Sequence, residues 1–317
     1  QLGRIQLEVY GTMNYQNFDW QTFPGKRSAI DLERFVLEPS YRLSPKVSLR
    51  AEIEFEHGGT GASVEFDRFE EFGEFEYEIE KGGEILLEQL NVDWKIRDWI
   101  HLKVGHFEVP IGLMPYRDEP NEYFTTTISE MESSMLPVNW NENGITVFGN
   151  FGKGKHWHYN TGIINGLDNS AFSSAGWVQR GSQKRFETTN AENIAFVGRF
   201  DYTSGKENRI GLSGFIGNST GNRPKPDLNT ASWVGIVDVH FIWEKGPLEM
   251  AGMLMYGTLS NSEAVSNANR NLSNNLNVKR TPVGAAALGA FMELGIEVFD
   301  LVSAHTGKHP DAELYLF

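Results

Sequence analysis

Val47-Ser48-Leu49-Arg50-Ala51-Glu52-Ile53-Glu54-Phe55-Glu56 alternates without a break. Successive side chains of an extended chain point to opposite sides. Val47, Leu49, Ala51, Ile53 and Phe55 therefore share one face, and Ser48, Arg50, Glu52, Glu54 and Glu56 share the other. Such a charged face is costly in a dry core and tolerated against water. The same period of two recurs outward in both directions. Ile5, Leu7 and Val9 oppose Arg4, Gln6 and Glu8, and Leu90, Val92, Trp94 and Ile96 oppose Gln89, Asn91, Asp93 and Lys95. Trp233, Gly235, Val237, Val239, Phe241 and Trp243 oppose Val234, Ile236, Asp238 and His240. Thirteen segments read this way: 4–15, 29–43, 46–56, 84–96, 99–109, 143–151, 156–166, 193–203, 207–217, 231–243, 247–258, 284–299 and 311–317. No stretch reads as a long amphipathic helix.

The connections between these segments alternate in length. Ser44-Pro45, Arg97-Asp98, 152–155, 204–206 and 244–246 are short, whereas 16–28, 57–83, 110–142, 167–192, 218–230 and 259–283 are long. Strict alternation means antiparallel hairpins closed tightly at one end and loosely at the other. Short periplasmic turns, long extracellular loops and strands of ~9–11 residues define an outer-membrane barrel. The expected fold is thus an all-β, transmembrane, antiparallel up-and-down β-barrel occupying 1–317 as a single domain. Trp94, Trp157 and Trp243 fall on the apolar parity close to short turns, and with Tyr41 they are placed to form a periplasmic aromatic girdle.

Composition narrows the function. With 28 basic and 42 acidic residues the net charge is −14, which argues against nucleic-acid binding, and the absence of cysteine excludes thiolate chemistry and Cys-ligated metals. Gln1-Leu2-Gly3-Arg4 does not read as a signal peptide. No G-x-S-x-G, P-loop, HExxH or dinucleotide fingerprint occurs, so neither an enzyme nor a cofactor is expected. Glu52 and Glu54 are neighbours on one strand face, a spacing that any charged pore wall produces.

Five motifs in order carry a family resemblance. They are Arg34-Phe35-Val36-Leu37 through Phe55; Gly105-His106-Phe107-Glu108-Val109-Pro110-Ile111-Gly112; and Asn143-Gly144-Ile145-Thr146-Val147-Phe148-Gly149 with Gly162-Ile163-Ile164-Asn165-Gly166. Val197-Gly198-Arg199-Phe200 and Ile210-Gly211-Leu212-Ser213-Gly214 complete the set. Over about 30–300 the chain resembles the phosphate-selective porins O and P. The resemblance implies a sixteen-stranded, usually trimeric, water-filled pore narrowed by its third loop. Thirteen segments then suggest a chain that stops before its last strands; a C-terminal Phe317 as insertion signal and a strand miscounted around 299–310 are the other readings.

The resemblance also implies lysines on the third loop, and this sequence departs from that. No lysine lies between Lys103 and Lys153; loop 110–142 holds Arg117 against Asp118, Glu119, Glu122, Glu130, Glu132 and Glu142. Such a constriction favours cations over phosphate. Expected to line the pore are Arg34, Arg42, Arg50, Lys95, Lys103 and Arg199, offset by Glu52, Glu54, Asp93, Asp201 and Asp238. Expected partners are outer-membrane lipid, lipopolysaccharide, and small ions or solutes.

Three constellations stand apart. Residues 65–80 interleave carboxylates with Phe66, Phe69, Phe72, Phe75, Tyr77 and Ile79, and read either as a cation-bridged surface or as a solvated loop. His156 and His158 share a strand face without a third ligand in view, and His305 and His309 flank a Gly-Lys turn; no metal is expected at either. The expected function is passive diffusion of small hydrophilic solutes through an outer-membrane porin. The alternatives are a structural or adhesive barrel with a plugged lumen and a soluble carbohydrate-active β protein.

Overall fold

The computed structural model describes residues 2–17, 21, 25, 27–59, 62–67, 76–81, 83–117, 128–183, 188–205, 208–272, 280–306 and 314–316. The chain divides into two compact units, 1–90 and 91–317. In the first, β1 (Ile5–Gln16), β2 (Ala29–Ser44) and β3 (Val47–Glu56) form a meander. A separate hairpin, β4 (Ala62–Asp67) and β5 (Glu76–Lys81), rises from the connection that follows, and β6 (Glu84–Arg97) returns to pair with β3. The second unit continues with the far half of β6, then β7 (Ile100–Glu108), β8 (Asn141–Phe151), β9 (Trp157–Asn165), β10 (Ile194–Ser204), β11 (Asn208–Asn218), β12 (Trp233–Lys245), β13 (Leu248–Leu259), β14 (Ala286–Glu297) and β15 (Tyr315–Leu316). Each pairs antiparallel with its sequence neighbours. Three short helices lie in connections: α1 (Glu130–Met135), α2 (Ser262–Arg270) and α3 (Val298–Thr306). The fold is an all-β, antiparallel up-and-down meander.

Nearest-neighbour antiparallel pairing fixes the ends. In the second unit the β6–β7, β8–β9, β10–β11 and β12–β13 turns are tight and share one end, while the long connections 109–140, 166–193, 219–232 and 260–285 share the other. Gly246 closes the β12–β13 turn at φ +58°, a left-handed value that Lys245 or Pro247 would adopt only with strain. The alternation breaks once. The predicted strand 284–299 ends at Glu297, and α3 follows it at the tight-turn end before β15. The reading of a miscounted strand around 299–310 is therefore corrected: its described part is helical. Glu297 holds this departure, accepting hydrogen bonds from the backbone N–H groups of Phe299, Asp300 and Leu314.

Burial is inverted relative to a soluble sheet. On β12, Val237 and Val239 are 49% and 52% exposed, while Asp238 and His240 on the opposite face are buried. Leu7, Phe196, Leu212, Leu254 and Met292 repeat the exposed apolar face on other strands. Near the turns, Trp157 packs against Phe200 and Tyr202 at 5.2 and 4.7 Å between ring centroids on that face, and Trp94 and Trp243 are exposed.

The inner face of β10–β13 carries a second, dry layer that alternation does not lead one to expect. Val197, Phe215, Val234, Ile236, Met253 and Met255 point inward and are buried beneath Leu113, Leu136 and Trp140 of connection 109–140, beneath Phe172 and Trp177, and beneath Val265 of α2. Above it, asparagines tie the long connections together. Arg223 Nη1 donates to Asn169 Oδ1 and Asn269 Oδ1 at 2.6 and 2.7 Å, and Asn222 Nδ2 donates to the Gly166 carbonyl at 2.7 Å.

Candidate functional site

Loop 110–142 leaves β7 and turns at once onto the polar face of β10–β12. Gly112 makes the turn at φ +75°. Its N–H donates to Ser213 Oγ at 3.1 Å and Asp238 Oδ2 at 3.2 Å, and its carbonyl accepts from Arg199 Nη1 at 2.5 Å. The wall side chains are joined among themselves. Arg199 Nε donates to Asp201 Oδ2 at 2.8 Å, His240 lies between Asp201 Oδ1 (2.7 Å) and Asp238 Oδ1 (2.6 Å), and Ser213 donates to Asp238. Strand alternation supplies this cluster: Arg199 and Asp201 sit two apart on β10, Asp238 and His240 two apart on β12, and Ser213 on β11 between them.

The loop closes on itself through Glu132 of α1. Its Oε1 accepts the N–H groups of Leu113 and Met114 at 2.7 and 2.9 Å. Burial pushes this carboxyl up to about 7, opposed by those two backbone donors, with Asp238 raising it further and Arg199 lowering it. Tyr116 then places its ring against Arg209 and Arg199, and Arg117 Nη1 reaches Glu293 Oε2 on β14 at 2.9 Å.

The expected pore-lining residues separate into two groups. Arg199, Asp201 and Asp238 come together, but beneath the loop and buried. The others lie on the polar parity of their strands in local pairs. Arg34 approaches Glu54 at 3.8 Å, Arg50 bridges Glu38, and Gln89 donates to Glu52. Lys95 reaches Asp98 at 2.8 Å, Asp93 faces His101 at 3.1 Å, and Lys103 lies over the Phe107 and Phe148 rings at 5.8 and 5.4 Å. Arg42 is exposed. Of the acidic constriction residues, Glu130 is exposed and Glu132 and Glu142 are buried; Asp118, Glu119 and Glu122 lie outside the described residues. The sequence reading missed Ser213, His240, Tyr116 and Arg209. The signal for His240 was its place two residues from Asp238 on a charged strand face.

The histidine pair is taken up by protein partners. His156 Nδ1 lies 2.8 Å from the Thr203 carbonyl, and His158 lies 2.5 Å from Asn150 Oδ1 and 2.7 Å from Thr203 Oγ1. Among the described residues no group of three or more His, Cys, Asp or Glu is placed to hold a metal ion. His309, the side chain of His305 and the side chains of 65–80 lie outside the described residues.

The chain matches no family model. It is 24% identical over 264 residues to an uncharacterized protein of Aquifex aeolicus, covering 83% of this chain and 54% of that protein. The chain thus spans about half the length of the curated relative it matches. Among solved structures it is similar to an anion-selective porin from Comamonas acidovorans, at 11% identity and TM-score 0.42 over 80% of this chain and 68% of that one. It is also similar to OccK8 (OprE) of Pseudomonas aeruginosa, at 13% identity and TM-score 0.42 over 92% and 65% of the two chains. OmpT, an outer membrane protein of Vibrio cholerae in a trimer form, gives 11% identity and TM-score 0.37 over 93% and 84%.

Proposed function

We propose that the chain forms the wall of a bacterial outer-membrane porin through which small hydrophilic solutes or ions diffuse passively, with loop 110–142 narrowing the pore. The supporting observation is the inverted partition of the strands: large apolar side chains are exposed along one face while charged groups occupy the other. A soluble protein rarely leaves so extensive an apolar surface uncovered, whereas a barrel in lipid requires it. Outer-membrane lipid and lipopolysaccharide are the partners this reading assigns to the apolar face, and a homotrimer is its proposed assembly.

Selectivity is proposed as weakly cation-preferring or absent, not phosphate-selective. The chain resembles porins O and P in its strand motifs but lacks loop lysines, and Glu130 is the acidic residue of the described loop that reaches water. Reconstitution in a planar bilayer under a KCl gradient tests this. Stepwise current with a reversal potential on the cation side or near zero is expected, and Glu130→Lys moves that potential toward anions. A strong preference for phosphate over potassium rejects the selectivity. The dry inner layer on β10–β13 favours the second reading, a structural or adhesive subunit with a plugged lumen; folded protein that inserts but carries no current establishes it.

A further inference from the structure

The β8–β9 turn, Gly152-Lys153-Gly154-Lys155, carries more charge than its shape requires. Gly152 and Gly154 take left-handed φ values of +82° and +79°, and Lys155 follows at +56°. Glycine would hold that last position without strain, so turn chemistry does not account for the lysine. Lys153 and Lys155 are exposed, and among the described residues no carboxylate lies within ion-pair distance of either. The β6–β7 turn adds to the field. A Cβ on Gly149 would meet the Trp99 carbonyl, so the two turns lie side by side. Lys95 pairs with Asp98 at 2.8 Å, and Arg97 is exposed. Lys95 first, and then the charge of Lys155, hold the Asp98 carboxyl below its ordinary value. Over 95–98 and 153–155, Lys95, Arg97, Lys153 and Lys155 thus stand against one carboxylate, Asp98, in a chain whose net charge is −14. Directly beyond the turn the exposed strand face is aromatic. Phe151 lies 6.0 Å from Phe200 between ring centroids, and Phe200 and Tyr202 flank Trp157. Trp243 has no such surplus beside it, since Glu244-Lys245 follows it as a balanced pair.

We propose that this corner binds a phospholipid with a net negative headgroup from the periplasmic leaflet, Lys153 and Lys155 taking the phosphate while Trp157 and Tyr202 lie along the glycerol and the first methylenes. The proposal rests on the porin reading, which sets the exposed apolar face in lipid and the tight turns at the periplasmic side. Amphipathic rings belong where one edge is apolar and the other wet. Ammonium groups just beyond such rings stand at the level of the phosphates. Inorganic phosphate would engage the lysines and leave the rings unused; a lipid engages both. A zwitterionic headgroup carries its own ammonium and gains no net attraction. Each lysine beside an anionic bilayer surface raises occupancy about fivefold, within a Debye length.

The chain has no cysteine, so one fluorophore can be placed at will. Ser204→Cys puts it on the exposed face two residues beyond Tyr202, and Leu248→Cys puts it on the same face beside the β12–β13 turn. Each labelled chain is reconstituted in phosphatidylcholine vesicles containing acyl-brominated phosphatidylglycerol or phosphatidylethanolamine. Brominated phosphatidylglycerol is expected to quench the Ser204 probe at a roughly five- to twenty-five-fold lower mole fraction than phosphatidylethanolamine. At Leu248 the two lipids are expected to quench alike. Lys153→Gln with Lys155→Gln should remove most of the difference at Ser204. Salt supplies an arm with both lysines in place: the difference shrinks from ~0.01 M to ~1 M, as the Debye length falls from ~30 to ~3 Å. Equal quenching by the two lipids at Ser204, or a difference that neither salt nor the double substitution changes, overturns the inference and leaves the porin reading intact. Quenching at Leu248 but not at Ser204 overturns it as well, because a second copy of the chain would then cover the corner. Quenching at neither position overturns both, because the face would then lie outside the bilayer.

Discussion

Glu132 gains a pH dependence from its place under the loop. Its carboxyl titrates near 7 in the folded chain against an ordinary 4.5, so the folded state holds an extra proton between those values. Stability from this group is fully present below the unfolded value and is lost as pH rises through the folded one. We expect resistance to urea, followed by tryptophan fluorescence, to fall between about pH 5 and about pH 8 by at most ~3 kcal/mol. Glu132→Gln should flatten that part of the profile. On the apolar face the expectation is simpler. Leu254 is exposed at the middle of β13, and Leu254→Arg should cost ~2–4 kcal/mol in a bilayer because the charge enters hydrocarbon. Lys103→Ala, on the polar parity of β7, should leave unfolding nearly unchanged and alter conductance; a Leu254→Arg variant as stable as the wild type would mean the faces are exchanged on β13. These faces were legible in the sequence because an extended strand sorts its side chains by parity alone. The burial of Glu132 and Glu142 was not, since it depends on where a thirty-residue loop lands and no local period encodes that.

At the scale of elements, strand positions could be read closely: the predicted 46–56, 99–109 and 193–203 correspond to Val47–Glu56, Ile100–Glu108 and Ile194–Ser204. The helices were missed. α2, Ser-Glu-Ala-Val-Ser-Asn-Ala-Asn-Arg, contains three residues, Val265, Ser266 and Asn269, that are buried against other connections, and its asparagines favour turns when considered alone. The filled inner layer did leave a trace, apolar residues on both parities in Ile194-Ala195-Phe196-Val197 and Met253-Leu254-Met255-Tyr256. A strand wet on one side has no use for them. The loop's hold on the wall makes its own prediction. A Cβ at Gly112 would meet Glu132 Oε1 and enforce a left-handed residue, so Gly112→Ala should free the loop. Larger, noisier single-channel currents and faster proteolysis within 110–142 are expected; wild-type currents would mean that the Gly112 contacts do not hold the constriction.

For the whole molecule, the absence of cysteine makes topology directly measurable. Asp98→Cys and Gly154→Cys, at tight turns, should react with a membrane-impermeant maleimide only after the outer membrane is opened. Thr230→Cys and Asn261→Cys, in long connections, should react on intact cells. Labelling of both sets from outside would overturn the orientation of the meander.

The dry layer under the long connections also gives this molecule an unusual heat signature. The apolar face of a membrane barrel is covered by acyl chains before and after any loop melts, so it contributes little to a heat-capacity change. Val197, Phe215, Ile236, Trp177 and Val265 are different, because melting the connections above them delivers these groups to water. Hydration of apolar surface raises heat capacity by ≈ 0.45 cal/K/mol per Å². Calorimetry should therefore resolve an early transition with a positive heat-capacity step while the infrared signature of the strands stays unchanged: a small globular protein unfolding inside a wall that does not.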